Sequence, residues 1–169
     1  MIRPARLSDS EAIAEIYAPY CTDTVISFEI EAPPVDEIRQ RMEKVMKSLP
    51  WLVEERDGKV VGYAYASPHR ERLAYQYSVE VSVYIDKNYH KQGIGKALYM
   101  QLFEQLRELG KFNALAGITL PNQASVGLHE HLGFLHTGTY SKVGYKFGAW
   151  HDVGWWQLVL QPYEKLISS

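Results

Sequence analysis

Apolar residues change their spacing along the chain, and each change marks a predicted element. Residues 2 to 6 read as a short strand, and Ser8 or Asp9 can cap a helix through about Tyr20 with Ile13, Ile16 and Tyr17 as its apolar stripe. A loop with Thr24, Val25, Ser27, Phe28 and Glu29 follows. Pro33-Pro34 then leads into a second helix near 35 to 47 carrying Ile38, Met42, Val45 and Met46 on one side. Asp57-Gly58 lies between strand-like runs at 51 to 55 and 60 to 66, a strong hairpin signal. The strand at about 76 to 85 alternates Val79, Val81, Val83 and Ile85, predicted to face the core, with Ser78, Glu80, Ser82 and Tyr84, predicted to form a polar face. Ile94, Leu98, Leu102, Leu106 and Leu109 then mark a helix ending at Gly110, which suits an αL cap. Ala114 to Leu120 reads as a strand, 123 to 132 as a short helix capped by Asn122, and the remainder as strands around 134 to 146 and 153 to 160. The order β-α-α-β-β-β-α-β-α-β-β indicates an α/β protein with a mixed sheet.

At 169 residues, with no linker or low-complexity stretch, the expectation is one domain spanning 1–169. A net charge of −2 and a pI near 6.3 give no reason to expect nucleic acid or an anionic membrane as partner. Cys21 is the only cysteine, so an intramolecular disulfide is excluded, which fits a reducing compartment. No basic and apolar leader opens the sequence and no apolar run is long enough to span a bilayer, so the expectation is a cytoplasmic protein with a small-molecule partner.

Between the strand ending at Ile85 and the next helix lies His90-Lys91-Gln92-Gly93-Ile94-Gly95-Lys96, a basic turn bearing glycines. Glycine tolerates φ > 0 and lets a phosphate approach the amides that a helix N-terminus leaves unpaired, while the helix dipole favours negative charge. Lys91 and Lys96 would add formal charge. Taken alone the turn serves equally as structural punctuation. Gly-x-x-x-x-Gly-Lys-Ser/Thr is absent, and Leu98 stands where a dinucleotide fingerprint needs its third glycine, so nucleotide hydrolysis and Rossmann hydride transfer lose support.

The same order and turn resemble the GNAT acetyltransferase superfamily, and Asn122 to Phe134 looks like its second motif on the CoA side. Within the superfamily the chain is most similar to phosphinothricin and methionine sulfoximine or sulfone acetyltransferases, from about residue 2 to residue 161. The stretches that carry this are Thr24-Val25-Ile26-Ser27-Phe28, Pro50-Trp51-Leu52-Val53, Glu71-Arg72-Leu73-Ala74-Tyr75, Val79 to Tyr84 and Lys146 to Gln157. The chain departs from the superfamily in having His90 at the first place of its Gln/Arg-x-x-Gly-x-Gly/Ala turn, and His129 where many members carry a tyrosine; histidine there is itself similar to the phosphinothricin branch.

The resemblance implies acetyl-CoA as co-substrate, a small amine acceptor, a homodimer and no metal. It implies Glu80 as general base, acting directly or through water, where partial desolvation in a valine-rich strand would raise its pKa. On the residues alone Glu80 reads first as a carboxylate on a solvated face, and the resemblance reverses that preference. If the strand splays, main-chain N–H groups of Val81, Ser82, Val83 and Tyr84 would receive the acetyl carbonyl and pantetheine arm. His90, Lys91, Gln92, Gly93, Ile94, Gly95, Lys96, Asn122 and Ser125 complete the implied CoA site. His129, one turn beyond Ser125, would assist the thiolate or bond locally.

On the acceptor side the resemblance implies Phe28, Arg72, Leu73, Ala74 and Tyr75. Arg72 offers a bidentate fork for an anionic group, which argues against a polyamine, or it is a solvated loop charge. His151-Asp152 sits among Trp150, Trp155 and Trp156, an aromatic concentration that suits core, pocket or subunit contact. His129 and His131 are two apart on a helix and face different ways, so a metal site is not expected. Two rivals stay open: the same fold acting on another amine, such as a peptide N-terminus, and a non-catalytic acyl-CoA sensor.

Overall fold

In the computed structural model, which describes residues 1–167, seven strands form one mixed sheet. The elements run β1 (Ile2–Pro4), α1 (Ser10–Thr22), α2 (Val35–Met46), β2 (Trp51–Arg56), β3 (Lys59–Pro68), β4 (Ser78–Ile85), α3 (Ile94–Glu108), β5 (Asn113–Leu120), α4 (Gln123–His131), β6 (Leu135–Lys146), β7 (Ala149–Val159) and α5 (Glu164–Ile167). In space the strands follow β1-β2-β3-β4-β5-β7-β6, and only β4 and β5 are parallel. The crossover between them is α3, as parallel pairing requires.

Helices cover both faces of the sheet. On one, the stripe Ile94, Leu98, Leu102 and Leu106 of α3 packs on Val61, Val79, Val81 and Ala114, all buried. On the other, Ile13 and Tyr17 of α1 and Ile38 and Met42 of α2 pack on Trp51, Val53 and Tyr63. Each fully buried aliphatic side chain contributes roughly 1.5–3 kcal/mol, so these two stripes hold the layers together. Asp57 and Gly58 both take positive φ between β2 and β3, and Gly110 takes φ +72° after α3, as the turn chemistry predicts.

Four local expectations change. Asp9 does not cap α1; its carboxylate accepts from the Arg6 amide at 2.7 Å and from both Arg3 terminal nitrogens at 2.8 and 2.9 Å. A fixed guanidinium outcompetes the helix amides, and it holds the Asp9 carboxyl below its ordinary range. The stripe of α3 stops short of Leu109, which is about half exposed. β7 starts at Ala149 rather than near 153, because Phe147 and Gly148, both at positive φ, turn the chain at once and bring Trp150 to Asp152 into the strand. Tyr84 does not belong to a polar face, since Tyr17, Tyr20 and Tyr63 pack on its ring at 5.0, 5.1 and 5.5 Å. No described helix is long and apolar enough to cross a membrane.

Candidate active site

The centre of the site is a gap in the sheet. β4 and β5 pair only over Ser78↔Asn113, Val79↔Ala114 and Glu80↔Leu115, then part, while β4 stays paired with β3 as far as Ile85. Asp86 donates to the Val61 carbonyl at 2.9 Å, and strand alternation therefore turns the Ser82 and Tyr84 amides toward β3 and those of Val83 and Ile85 toward the gap. Of the four amides expected to receive an acyl group, the one at Val83 has the geometry for it. A slot of about 70 Å³ occupies the opening, lined by Val83, Ile118, Tyr99, Asn122, Ser125 and His129. Ile26, Ser82, Tyr84, Gly117 and Thr119 line both this slot and a wider cleft of about 490 Å³. The two spaces therefore meet across the parted strands.

Glu80 lines the wide cleft, with Phe28, Glu29, Tyr17 and Trp155. Its Oε2 is 3.0 Å from Nδ1 of His69, the residue that follows β3, and its side chain is about one-third exposed. Phe28 is in place as a wall, its ring so close over Gly144 that any β-carbon there would overlap it. Glu29 is held by Tyr17 Oη at 2.5 Å and bidentately by Arg41 at 2.5 and 2.9 Å, and the guanidinium keeps its carboxyl ionised below the ordinary range. Arg72, Leu73 and Tyr75 lie elsewhere: they line a neighbouring groove of about 580 Å³ with Lys44 and Lys111, and the exposed Ala74 sits in the same turn. Only Tyr75 approaches Glu80, through an edge contact with His69 at 5.7 Å.

His129 is 3% exposed. Its Nδ1 lies 2.7 Å from the Ser125 carbonyl and its Nε2 3.1 Å from the Tyr99 hydroxyl. A carbonyl only accepts, so Nδ1 carries the hydrogen and Nε2 accepts from Tyr99. Burial pushes the His129 pKa down and the Tyr99 pKa well up, which keeps both neutral. Asn122 caps α4 as expected, its Oδ1 accepting from the Ser125 amide at 3.1 Å.

The glycine turn has the geometry of an anion cradle. Lys91 and Gly93 adopt φ of +60° and +76°, and the first helical bond runs from Ala97 N to Gly93 O, leaving the Ile94, Gly95 and Lys96 amides without helical partners. His90 turns away from it; its Nε2 is 3.1 Å from the Ile85 carbonyl and 3.0 Å from Tyr20 Oη. Gln92 accepts from Arg56 at 2.6 Å, and Lys96 Nζ stands 3.2 Å from His131 Nε2. Among the described residues no group of three His, Cys, Asp or Glu side chains could hold a metal ion.

Sequence reasoning missed His69, Tyr99 and Lys146. His69 and Glu80 are eleven residues apart and meet through the β3–β4 register, with Ser67 opposite Glu80. Tyr99 follows Leu98 in the buried stripe and reads as core. Lys146 reads as a surface cation, yet it is 2% exposed and donates to the carbonyls of Cys21, Ser27 and Glu29 at 2.6, 2.7 and 2.8 Å. Its signal is its place between Tyr145 and Phe147 at the end of a strand.

A cradle for phosphate at a helix N-terminus, a narrow slot through a parted parallel pair and a carboxylate in the cleft beyond define a transferase that takes a long phosphate-bearing acyl donor on one side and its acceptor on the other. The acetyltransferase (GNAT) domain family matches residues 2–155. A phosphinothricin N-acetyltransferase of Streptomyces viridochromogenes is 40% identical over 156 residues, covering 92% of this chain and 85% of its own length. An L-methionine sulfoximine/L-methionine sulfone acetyltransferase of Salmonella typhimurium is 35% identical over 163 residues, covering 96% and 95%. The crystal structure of a GNAT superfamily phosphinothricin acetyltransferase from Sinorhizobium meliloti in complex with AcCoA superposes with a TM-score of 0.91 at 34% identity, covering 94% of this chain and 87% of that one. The chain belongs to the GNAT acetyltransferase family. It is an N-acetyltransferase that uses acetyl-CoA.

Proposed function

We propose that the chain, as a single domain, acetylates the α-amine of a small amino-acid-like molecule by direct transfer within a ternary complex. Phosphinothricin, methionine sulfoximine and methionine sulfone are the acceptors that the relatives' names suggest. The observation that carries the reading is the opening between β4 and β5, with Glu80 in the cleft on one side and Tyr99 and His129 in the slot on the other. CoA phosphates would rest on the amides of Ile94, Gly95 and Lys96, and the pantetheine arm would run along the slot past Asn122 and Ser125.

Glu80 takes a proton from the acceptor ammonium, directly or through water, and the freed amine attacks the thioester carbonyl. The Val83 N–H meets the negative charge that grows on the carbonyl oxygen. Collapse of the adduct breaks the carbon–sulfur bond and releases the CoA thiolate, which takes up a proton beside the Tyr99–His129 pair. Phe28 walls the acceptor, and Arg72 holds an anionic group by a movement of its side chain toward the cleft, with Tyr75 in place against His69.

A second reading rests on a specific placement. Glu29 and Glu80 are the charged side chains of the cleft, whereas Arg72 lines the groove beyond His69, an arrangement that suits an amine without an anionic group. The test is acetyl-CoA-dependent thiol release from the purified protein with phosphinothricin, methionine sulfoximine, methionine sulfone, amino acids, peptides and polyamines. Saturable turnover ranked highest by kcat/KM for the first three supports the main reading. Turnover confined to amines lacking an acid group selects the second, and CoA binding without turnover would leave an acyl-CoA sensor. A homodimer and a cytoplasmic location complete the proposal; the exposed aromatic side chains of β6 and β7 support the first.

A further inference from the structure

His69 Nδ1 stands 3.0 Å from Glu80 Oε2, and among the described residues the Glu80 carboxylate has no other hydrogen-bond partner. An ionised carboxylate only accepts, so the imidazole must donate from Nδ1. The ring is not a mobile surface group. The Tyr75 ring meets it edge-on at 5.7 Å and 75°, the Trp155 ring at 6.3 Å and 72°, and its side chain is 18% exposed. β3 ends at Pro68 opposite Val79, so the register of the paired strands delivers His69, the first residue beyond β3, beside the carboxylate.

We propose that His69 is a positioning residue for acetyl transfer: its Nδ1–H binds one oxygen of Glu80, fixes the plane of the carboxylate and leaves the other oxygen to receive the proton of the acceptor amine. The inference rests on the reading of Glu80 as the base. A carboxylate on a strand has several rotamers and broad freedom about its last torsion, and a charge-assisted hydrogen bond to a clamped ring removes that freedom before the acceptor arrives. Tyr75 and Trp155 act through the same ring, as the walls that keep it from rotating away.

The test separates the N–H from the ring. His69→Phe keeps an aromatic body between Tyr75 and Trp155 and removes the donor; His69→Asn places an amide N–H near the Nδ1 position; His69→Gln places its amide where Nε2 lies. Steady-state kinetics use acetyl-CoA and whichever amine of the panel turns over fastest. His69→Phe is expected to lower kcat by roughly tenfold to a hundredfold, the rate equivalent of one charge-assisted hydrogen bond, with KM for acetyl-CoA unchanged. His69→Asn should recover most of the loss, His69→Gln should not, and His69→Phe should cost nothing further in a Glu80→Gln background. Wild-type turnover in His69→Phe or His69→Gln, with Glu80→Gln slowed to a measurable residual rate, overturns the role of His69 and leaves the base standing. Equal losses in His69→Phe and His69→Asn, or an additive loss in the double variant, overturn it as well. Full turnover in Glu80→Gln removes the base, and the positioning role with it.

Discussion

The Tyr99 hydroxyl donates to His129 Nε2 across 3.1 Å, while the other nitrogen of the same ring is committed to the Ser125 carbonyl at 2.7 Å. The imidazole therefore has no free proton to offer a thiolate. The one mobile hydrogen of the pair is on the hydroxyl, which lines the slot and would have to turn from Nε2 to meet a thiolate. Tyr99→Phe is expected to lower kcat by roughly a hundredfold, the usual worth of a positioned proton-transfer group, with a smaller change in KM for acetyl-CoA. Steady-state kinetics over a range of acetyl-CoA concentrations decide it, and an unchanged kcat would remove the hydroxyl from the reaction.

The same burial makes His129 a source of acid sensitivity. In the unfolded chain its ring takes up a proton as pH falls through about 6.5, while in the folded chain burial holds its pKa lower and the ring stays neutral. The unfolded state then binds more protons, so folding stability falls on acidification in that window. Asp9 and Glu29, whose guanidinium partners depress their pKa values, lose their contribution only at more acidic pH, below about 4.5. His129→Asn should flatten the decline of unfolding free energy between about pH 7 and 5 and leave the steeper acidic limb in place. Urea titrations across pH measure both limbs; an unchanged slope would show that the ring charges freely in the fold.

Lys146 ties the acceptor side together across the whole chain. Its ammonium collects three carbonyls, at the end of α1 and on both sides of Phe28, and so fixes the loop that walls the cleft to the β6–β7 hairpin. Lys146→Met fills the same volume and strands those carbonyls, at a cost of roughly 2–4 kcal/mol. Chemical denaturation checks the loss. In the folded variant the acceptor KM should rise more than KM for acetyl-CoA, because the cradle lies on other elements and the slot meets this loop only at Ile26.

The chain discloses its layers more readily than its site. Ile94, Leu98, Leu102 and Leu106 share a helical stripe and Asp57-Gly58 forms a turn because these are local properties, set within a few residues. The parting of β4 from β5 is a matter of pairing between strands that α3 separates, and no residue type marks where it begins. His69 and Glu80 meet only through the β3–β4 register, and Lys146 finds its carbonyls more than a hundred residues away. The glycine turn stands out from its own residues, whereas Glu80 and Phe28 become candidates only through resemblance. Arg72 shows its limit: the turn that carries it faces a neighbouring groove, so its part in binding depends on a shift toward the cleft.

Gly93 is where the cradle depends on backbone chemistry. At φ +76° it begins α3 in a conformation that costs an L-residue roughly 1–2 kcal/mol, while a β-carbon there would meet no atom within 4 Å. Gly93→Ala should thus fold, and the strain should appear as weaker CoA binding by calorimetry with kcat at saturating acetyl-CoA nearly preserved. Undiminished affinity would mean that the amides of this turn do not bear the phosphates.

The last expectation concerns the edge of the sheet. On β6, β7 and the turn between them, Tyr140, Val143, Tyr145, Phe147 and Trp150 are each more than half exposed, and Tyr145 and Trp150 pack edge to face at 5.2 Å. An exposed edge strand with such a surface invites a partner, and a second copy of the chain would cover it through the same patch on each subunit. Sedimentation velocity should then give twice the 19.4 kDa of the chain. Tyr145→Glu with Trp150→Glu would set like charges facing one another near the two-fold axis and release monomers that still fold, since neither side chain belongs to the buried core. A wild-type monomer at micromolar concentration, or a charged variant that stays dimeric, would refute this interface.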